Sequence, residues 1–408
     1  MQRMGKEAAE RALQLTKEIL LRRGPRITGT KECLDAAADI ADELKEHCDA
    51  VSEEPFAIYP GAMWHTGKAA AIAYVLSIVL LGIGGICVYF VPPVCILALV
   101  YGVAYYVRCV RWFDRLFGRK PACNVAGTIE PIQPAKQQII IAGHHDSPYV
   151  FTFLAHLQKL AGVRLGGAVA FYLYITVLGI FATVQQIASS QYWALPLVHL
   201  IISIAGLLFV GQLFFLVTRK KSPGAGDNLI ACAMACTLAE HYAKERPQHT
   251  RLIFLSTDGE EAGQRGAIEY AEKHLQELKA LPTYVFNIDS IYTTAHLGCI
   301  TRDRHGTQPL SMKMADAVCG AAAELGYSMK KVALGLGGGG TDAAAFAKAG
   351  IEAINIIAMS TSVFDEGRVY HTLNDTVERI EPGAVEAVME TFVNYVWKKD
   401  EETGLVES

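Results

Sequence analysis

The chain has 408 residues, with 37 Lys plus Arg against 41 Asp plus Glu and a formal charge of -4 at pH 7, so bulk electrostatics gives no reason to expect a nucleic-acid partner. Charged residues make up only 19% and apolar residues 51%, against roughly 25% and 45–50% in ordinary soluble domains. Two stretches, 69–107 and 165–218, contain no Asp, Glu, Lys or Arg. The composition excludes a disordered chain, a basic nucleic-acid binder and a purely soluble protein, and leaves a soluble domain interrupted by membrane segments.

In chain order, the charged N-terminus carries no apolar stretch of the secretory type, so a cleaved signal is not expected. Residues 1–66 form the first part of a catalytic domain. Residues 67–107 form a first membrane hairpin. Its segment 69–91 is 23 residues, about 34 Å as a helix, enough for a hydrocarbon core of roughly 30 Å. Pro92-Pro93 is expected to break it, leaving 94–107 to span with help from its flank or to re-enter. In 108–164, the run Arg108 to Lys120 alternates Trp112, Phe113, Leu116 and Phe117 with arginines and predicts an interfacial helix. A second hairpin fills 165–218, as helices over 165–187 and 193–217 joined by the polar turn Ser189-Ser190-Gln191. The main part of the catalytic domain follows, 219–408. Eleven Lys and Arg flank the hairpins on the side of the soluble segments, from Lys68 to Lys221, and neither hairpin turn is charged. The expectation is a multi-pass membrane protein whose catalytic domain faces the cytoplasm.

Ten cysteines without C-x-x-C spacing fit a reducing compartment. Short apolar strands at 138–142, 251–255, 284–288 and 353–356 alternate with helical patterns at 227–244, 263–281, 310–325, 341–348 and 382–397. The fold class is therefore α/β, a mixed and largely parallel sheet with helices on both faces, plus about four inserted transmembrane helices. Ligands of such sheets lie beyond the carboxyl ends of the strands.

Acidic and imidazole residues gather at those ends. Gly143-His144-His145-Asp146-Ser147 places His144 and Asp146 two apart, on one side of a strand end, as suits a metal-binding imidazole oriented by a carboxylate. Asp227, opening a helix after Pro223-Gly-Ala-Gly, is by itself equally readable as an N-cap. Glu260 and Glu261 in Thr257-Asp-Gly-Glu-Glu-Ala-Gly263 point differently, so one can bind metal while the other acts as a base; the bland alternative is a solvated helix start. Asp289 and His371 complete five groups that give each of two zinc ions three protein ligands if one Asp bridges them. His145, Asp258, Asp303 and His305 carry no signal of their own, and His199, inside a membrane helix, reads as packed or hydrogen-bonded.

Taken in order, the motifs GHHDS, GAGDN, STDGEEAGQRG, NID, GGTDAAAF and YHTLNDT, preceded by Arg26-Ile-Thr-Gly-Thr30 and Asn124-Val-Ala-Gly-Thr128, resemble the di-zinc aminopeptidases, including bacterial leucyl aminopeptidase, aminopeptidase Y and the relatives of glutamate carboxypeptidase II. The resemblance implies that His144 and Asp289 bind one zinc, Glu261 and His371 the other, and Asp227 both. It implies that Asp146 orients His144, that Glu260 is the general base acting with a hydroxide held between the metals, and that Tyr370 supports the oxyanion. The expected activity is removal of N-terminal residues from peptides, hydrophobic or membrane-associated ones included, at the cytoplasmic face of the bilayer. Three features depart from the family: the hairpin between Asp146 and Asp227, where relatives have a short link; the first hairpin, which interrupts the segment before Asn124; and Ala343 after Asp342, where they often have His. The alternatives are a carboxypeptidase or N-acyl amino acid amidohydrolase, a glutaminyl cyclase using one metal, and a non-catalytic receptor or scaffold.

Overall fold

The computed structural model describes residues 4–189, 192–335, 337–362, 365 and 367–405; Ser190 and Gln191 of the expected hairpin turn, and Leu336 within the glycine run, lie outside the described residues. Eleven strands form among them: β1 (Ala50–Ile58), β2 (Lys120–Ile129), β3 (Gln137–His144), β4 (Tyr149–Phe151), β5 (Val217–Lys221), β6 (Thr250–Thr257), β7 (Thr283–Ile291), β8 (Leu297–Asp303), β9 (Gln308–Pro309), β10 (Lys330–Ala333) and β11 (Glu352–Ala358). Nine make one sheet in the order β1-β2-β6-β3-β7-β11-β8-β10, with β9 beside β8. The central strands β6, β3, β7 and β11 run parallel. On one side β2 meets β6 antiparallel and β1 meets β2 antiparallel; on the other β8 meets β11 antiparallel. The expected mixed sheet is borne out.

Every residue of β3 is buried, as a central strand covered on both faces requires. Its Ile139 and Ile141 join one core with the helices Gly5–Arg23, Lys31–Lys45, Ile230–Lys244 and Pro382–Leu405, while Ile140 and Ala142 join the other with Arg265–Lys273 and Ala343–Lys348. The two-residue alternation of the strand thus feeds two separate helix layers.

The apolar stretches form four helical segments long and apolar enough to cross a membrane: Gly61–Ile83, Gly85–Val107, Gln158–Ser189 and Leu197–Phe215. The second corrects an expectation. Pro92 and Pro93 do not break it but occupy the first turn of the α-helix Val91–Gly102, where a missing N–H costs nothing, and a 3-10 segment Gly85–Phe90 runs in front of them. The break falls at Gly84, whose φ of 74° ends the helix Thr66–Ile83. The expected interfacial helix also fails. Between Arg108 and Lys120 only the 3-10 turn Asp114–Leu116 forms, because Arg265 draws the chain inward by donating to the carbonyls of Cys109 and Val110. Trp112, Phe113 and Leu116 still face outward.

The four segments pack around Tyr74, Leu81, Val91, Cys95, Ile175 and Val210, while Ile72, Val75, Leu97, Val177, Ile201 and Leu208 point away from the bundle. Buried hydroxyls find carbonyls within the bundle: Tyr74 donates to Ser203 O at 3.0 Å and Tyr172 to Cys95 O at 3.0 Å. His199 pairs with the Tyr174 hydroxyl at 2.7 Å, a hydrogen-bonded residue as expected. Glycines set the close approaches. A Cβ at Gly206 would stand 2.1 Å from Tyr74 Oη and 2.7 Å from a Phe171 ring carbon, whereas one at Gly82 would meet nothing within 4 Å. Gly206→Val is therefore expected to destabilise the bundle by about 1–3 kcal/mol, the usual range for overpacking, and Gly82→Val to leave it unchanged, as read by thermal melts in detergent.

Candidate active site

The carboxyl ends of β3, β6 and β7 and two loops converge on one buried cluster. His144 is the last residue of β3, and Asp146 follows it. Glu260 and Glu261 start a 3-10 turn held between Gly259 (φ 77°) and Gly263 (φ 98°), two left-handed positions that suit glycine and turn both carboxylates back toward β3. Asp289 lies near the end of β7. Asp227 sits in the turn Ala225–Leu229 that leads into the helix Ile230–Lys244, joined to Asn228 by a cis peptide. His371 lies in the loop after β11 at φ 55°, a left-handed conformation uncommon for a residue with a side chain and concentrated at functional sites.

Asp227 is the centre. Its Oδ1 is 3.4 Å from His144 Nε2 and its Oδ2 is 3.1 Å from His371 Nε2. Asp289 Oδ2 lies 3.8 Å from His144 Nε2, and Glu261 Oε1 lies 3.2 Å from His371 Nε2. The five residues thus form two sets of three that share Asp227. Ligands about 2.0–2.1 Å from a tetrahedral zinc stand roughly 3.3 Å apart, so these spacings are of the size a zinc ion sets. Hydrogen bonds do not account for them: His144 Nε2, His371 Nε2, Asp227 Oδ2 and Glu261 Oε1 are buried without a hydrogen-bond partner. The residues fit zinc.

Electrostatics agrees. Burial pushes the Glu261 carboxyl up to about 7 and that of Asp289 up to about 8, because the cluster is rich in acids and closed to water. Burial also works against the imidazolium of His371, but Glu261 and Asp227 override it and hold the group up at about 10. His144 is likewise raised against the effect of burial, by Asp146 and Asp227. Asp227 is held below the ordinary carboxylate range by the two imidazoles, despite burial. Acids that keep protons and imidazoles that gain them mark a cavity whose negative charge is compensated by protons in the free protein, the same charge that bound cations would compensate in their place.

Around these five, Asp146 has two tasks. Its carboxylate is 3.4 Å from His144 Nδ1, and it accepts the backbone N–H groups of Glu260 at 3.1 Å and Glu261 at 3.2 Å. The carboxyl of Glu260 is raised well above its ordinary value, first by burial and then by Glu261 and Asp289, with His144 opposing. Tyr370 stacks on His371 with ring centroids 4.0 Å apart, and its hydroxyl is raised by burial and by Asp227 and Glu261.

Two positioning residues escaped the sequence reading. Asp375 accepts the N–H of Gly226 at 2.8 Å and of Asp227 at 3.3 Å, which fixes the turn that presents Asp227. The fully buried Arg26 donates to the carbonyls of Gly24, His145, Pro223 and Gly224, tying the chain before the first hairpin to both sides of the second. Both stand in motifs that the sequence offered, NDT and RITGT, without a neighbour to reveal their task. The residues taken as bland pack in the framework. Asp303 accepts the hydroxyl of Thr341 at 2.6 Å, His305 takes the Gly339 N–H, and His145 bonds Ser256. Asp258 accepts the N–H of Cys123.

Residues 213–396 match the model of peptidase family M28. That stretch, a little under half of the chain, is similar to the M28 peptidases and supports a zinc metallopeptidase. Solved structures share the fold along almost the whole length. A zinc aminopeptidase from Bacillus subtilis is 15% identical, with 96% of this chain and 95% of that one covered and a TM-score of 0.57. A leucine aminopeptidase precursor from Bacteroides thetaiotaomicron is 13% identical, with 95% and 96% covered and a TM-score of 0.56. A glutaminyl cyclase from the same organism, bound to N-acetylhistamine, is 13% identical, with 95% and 97% covered and a TM-score of 0.57. The comparison with curated proteins finds no match. The M28 match begins in the last apolar helix and takes in Asp227, Glu261, Asp289 and His371, leaving His144 and the sheet edge before it.

The raised groups define a pH test. In the metal-free protein, burial raises the carboxyls of Asp289 and Glu261, and the facing carboxylates raise the His371 imidazole, so all three hold protons to higher pH than the free groups would. Zinc binds only the unprotonated forms, so its uptake must release protons, and affinity must fall as pH drops. Calorimetric zinc titrations at pH 7 in two buffers of different ionisation enthalpy are expected to show net proton release.

Proposed function

We propose that the protein is a membrane-anchored di-zinc aminopeptidase that removes N-terminal residues from peptides at the cytoplasmic face of the membrane. The observation that carries this reading is the position of Asp227, one carboxylate oxygen toward each of two imidazoles that each have a further carboxylate partner. One zinc would be held by His144, Asp289 and Asp227, the other by His371, Glu261 and Asp227. When bound, the pair supplies Lewis-acid polarisation of the scissile carbonyl and lowers the pKa of water.

The chain's own groups do the rest. Glu260 accepts a proton from the attacking water and returns it to the amine nitrogen as the peptide bond breaks, so it ends each cycle unchanged. Its backbone is anchored on Asp146, which also faces His144, so base and metal ligand keep a fixed relation. Tyr370, stacked on His371, offers its hydroxyl to the oxygen that gains charge in the tetrahedral state. Glutaminyl cyclisation is the second reading, since some structures of the same fold are glutaminyl cyclases. The intact second set, His371 with Glu261, favours hydrolysis over chemistry that needs one metal.

Glu260→Gln is expected to keep its zinc and lose about 10²–10⁴-fold in kcat, the usual share of acid–base catalysis, because an amide accepts no proton at neutral pH. Asp227→Asn, which weakens the shared ligand, should lose zinc together with activity. Zinc analysis beside turnover of an unblocked peptide separates the two, and near-wild-type turnover of Glu260→Gln would remove its assigned role.

The cytoplasmic placement rests on the eleven flanking positive charges. An impermeant thiol reagent on intact cells is expected to label Ser189→Cys above the wild-type background and to leave Glu402→Cys unlabelled; the reverse pattern would invert the topology.

A further inference from the structure

Beside the cluster around Asp227 lies a narrow, partly open cleft whose walls come from unusual places. Glu261 lines it at one end, and Phe214 and Leu213, from the last apolar helix, line it at the other. Tyr106, near the end of the second apolar helix, and Gly67, near the start of the first, complete the wall. The soluble domain contributes β4. Phe151 sets its ring edge-on to His371 with centroids 4.4 Å apart and donates its N–H to His371 O at 3.1 Å. Tyr149 packs edge-on to Trp64, whose Nε1 donates to Glu261 O at 3.3 Å.

Two contacts hold the helix ends against the site. The ribbon β4–β5 pairs Phe151 with Val217, two residues after the last apolar helix, and Thr152 N–H donates to Leu216 O at 3.0 Å. A Cβ at Gly67 would lie 2.6 Å from Leu213 O, a main-chain carbonyl, so the first and fourth helices approach backbone to backbone at this level. The same short stretch of protein therefore carries a proposed zinc ligand and the cytoplasmic ends of three proposed membrane spans.

Resting on the peptidase reading above, we propose that this cleft receives the apolar N-terminal residue of peptides lodged in the bilayer, and that the substrate class is membrane-inserted or amphipathic peptides with a free N-terminus. The walls are aromatic and aliphatic and, among their lining residues, Glu261 is committed to zinc in this reading, leaving Lys68 at the span end as the only charged group in the cleft. An apolar side chain loses nothing by leaving water there, whereas an acidic or strongly polar one would lose its hydration without a matched partner. Since the cleft is formed by the ends of the spans themselves, a peptide lying in the interface reaches it without passing through bulk water, and its concentration at the mouth is set by its membrane partitioning.

The test uses the full-length zinc-loaded enzyme in lipid vesicles or bilayer discs. Three peptides share a cleavable N-terminus: Leu followed by a polar chain, Leu followed by an apolar 15-residue tail, and Glu followed by the same tail. The tailed Leu peptide is expected to be cleaved with a kcat/KM at least about tenfold above each of the other two, the span of discrimination a side-chain pocket provides. Diluting the membrane with added lipid at fixed enzyme and peptide should slow cleavage of the tailed peptides and leave the soluble one unaffected. Leu213→Arg should narrow the Leu over Glu preference, with folding checked by retained zinc. Equal cleavage of the soluble and tailed Leu peptides, with no effect of lipid dilution, would overturn the proposal while leaving the aminopeptidase reading standing. Zinc-loaded enzyme that cleaves none of the three would instead overturn that reading and the proposal with it.

Discussion

The centre of this protein depends on a shortage of positive charge. Asp227, Glu261, Asp289 and Glu260 are brought into one water-poor pocket with only two imidazoles to face them, and the acids at its edge hold protons that free carboxylates would have lost. Such a pocket is unfavourable for the folded chain on its own, and ordinary cores avoid it. It persists because the surrounding framework over-determines it: Asp375 holds the turn of Asp227, Asp146 holds the turn of Glu260 and Glu261, and the central parallel strands fix His144 and Asp289. The stability of the fold and the readiness of the site for divalent cations are thus opposite faces of one arrangement, with the sheet supplying the first and the cluster the second.

The apolar helices are bound into the same frame. They hang from the loops that leave β1 and β3, so the helix ends nearest the sheet come to rest beside the carboxyl ends of the strands, where the candidate site lies. In an ordinary α/β enzyme those loops are free to vary. Here two of them lead into and out of the bundle, and the ribbon β4–β5 converts the return from the last helix into a wall of the site.

Much of this was legible in the sequence. Central strands declare themselves because burial on both faces makes them continuous apolar runs, and 138–142 or 251–255 needed no neighbour to be seen. The motifs named five candidate ligands of three residue types, His144, Asp227, Glu261, Asp289 and His371, and the structure brings these five together. The edges were not legible. β1 contains Glu53, Glu54 and Pro55 and pairs on one side only, so neither its composition nor its pattern distinguishes it from a loop. β10 begins with two exposed lysines for the same reason. The interfacial helix failed because its amphipathic pattern was real but Arg265, 156 residues after Cys109, supplied a stronger claim on its backbone. Arg26 and Asp375 show the same limit: their hydrogen bonds are to backbone groups distant in sequence, and a backbone carbonyl leaves no mark in a motif.

The strand order also fixes a sequence of events during synthesis. β3 is flanked by β6 and β7, and both are made only after the second apolar hairpin has left the ribosome. The carbonyls of Pro223 and Gly224 that receive the Arg26 guanidinium come equally late. Until then the first 150 residues have only β1 and β2 to pair, with His144 and Asp146 on a strand that lacks both neighbours. Domains emerge N-terminus first, so both apolar hairpins are complete before the strands that close the pocket are made. Closure of the site is therefore among the last events of folding, and it waits on the chain that follows the two apolar hairpins.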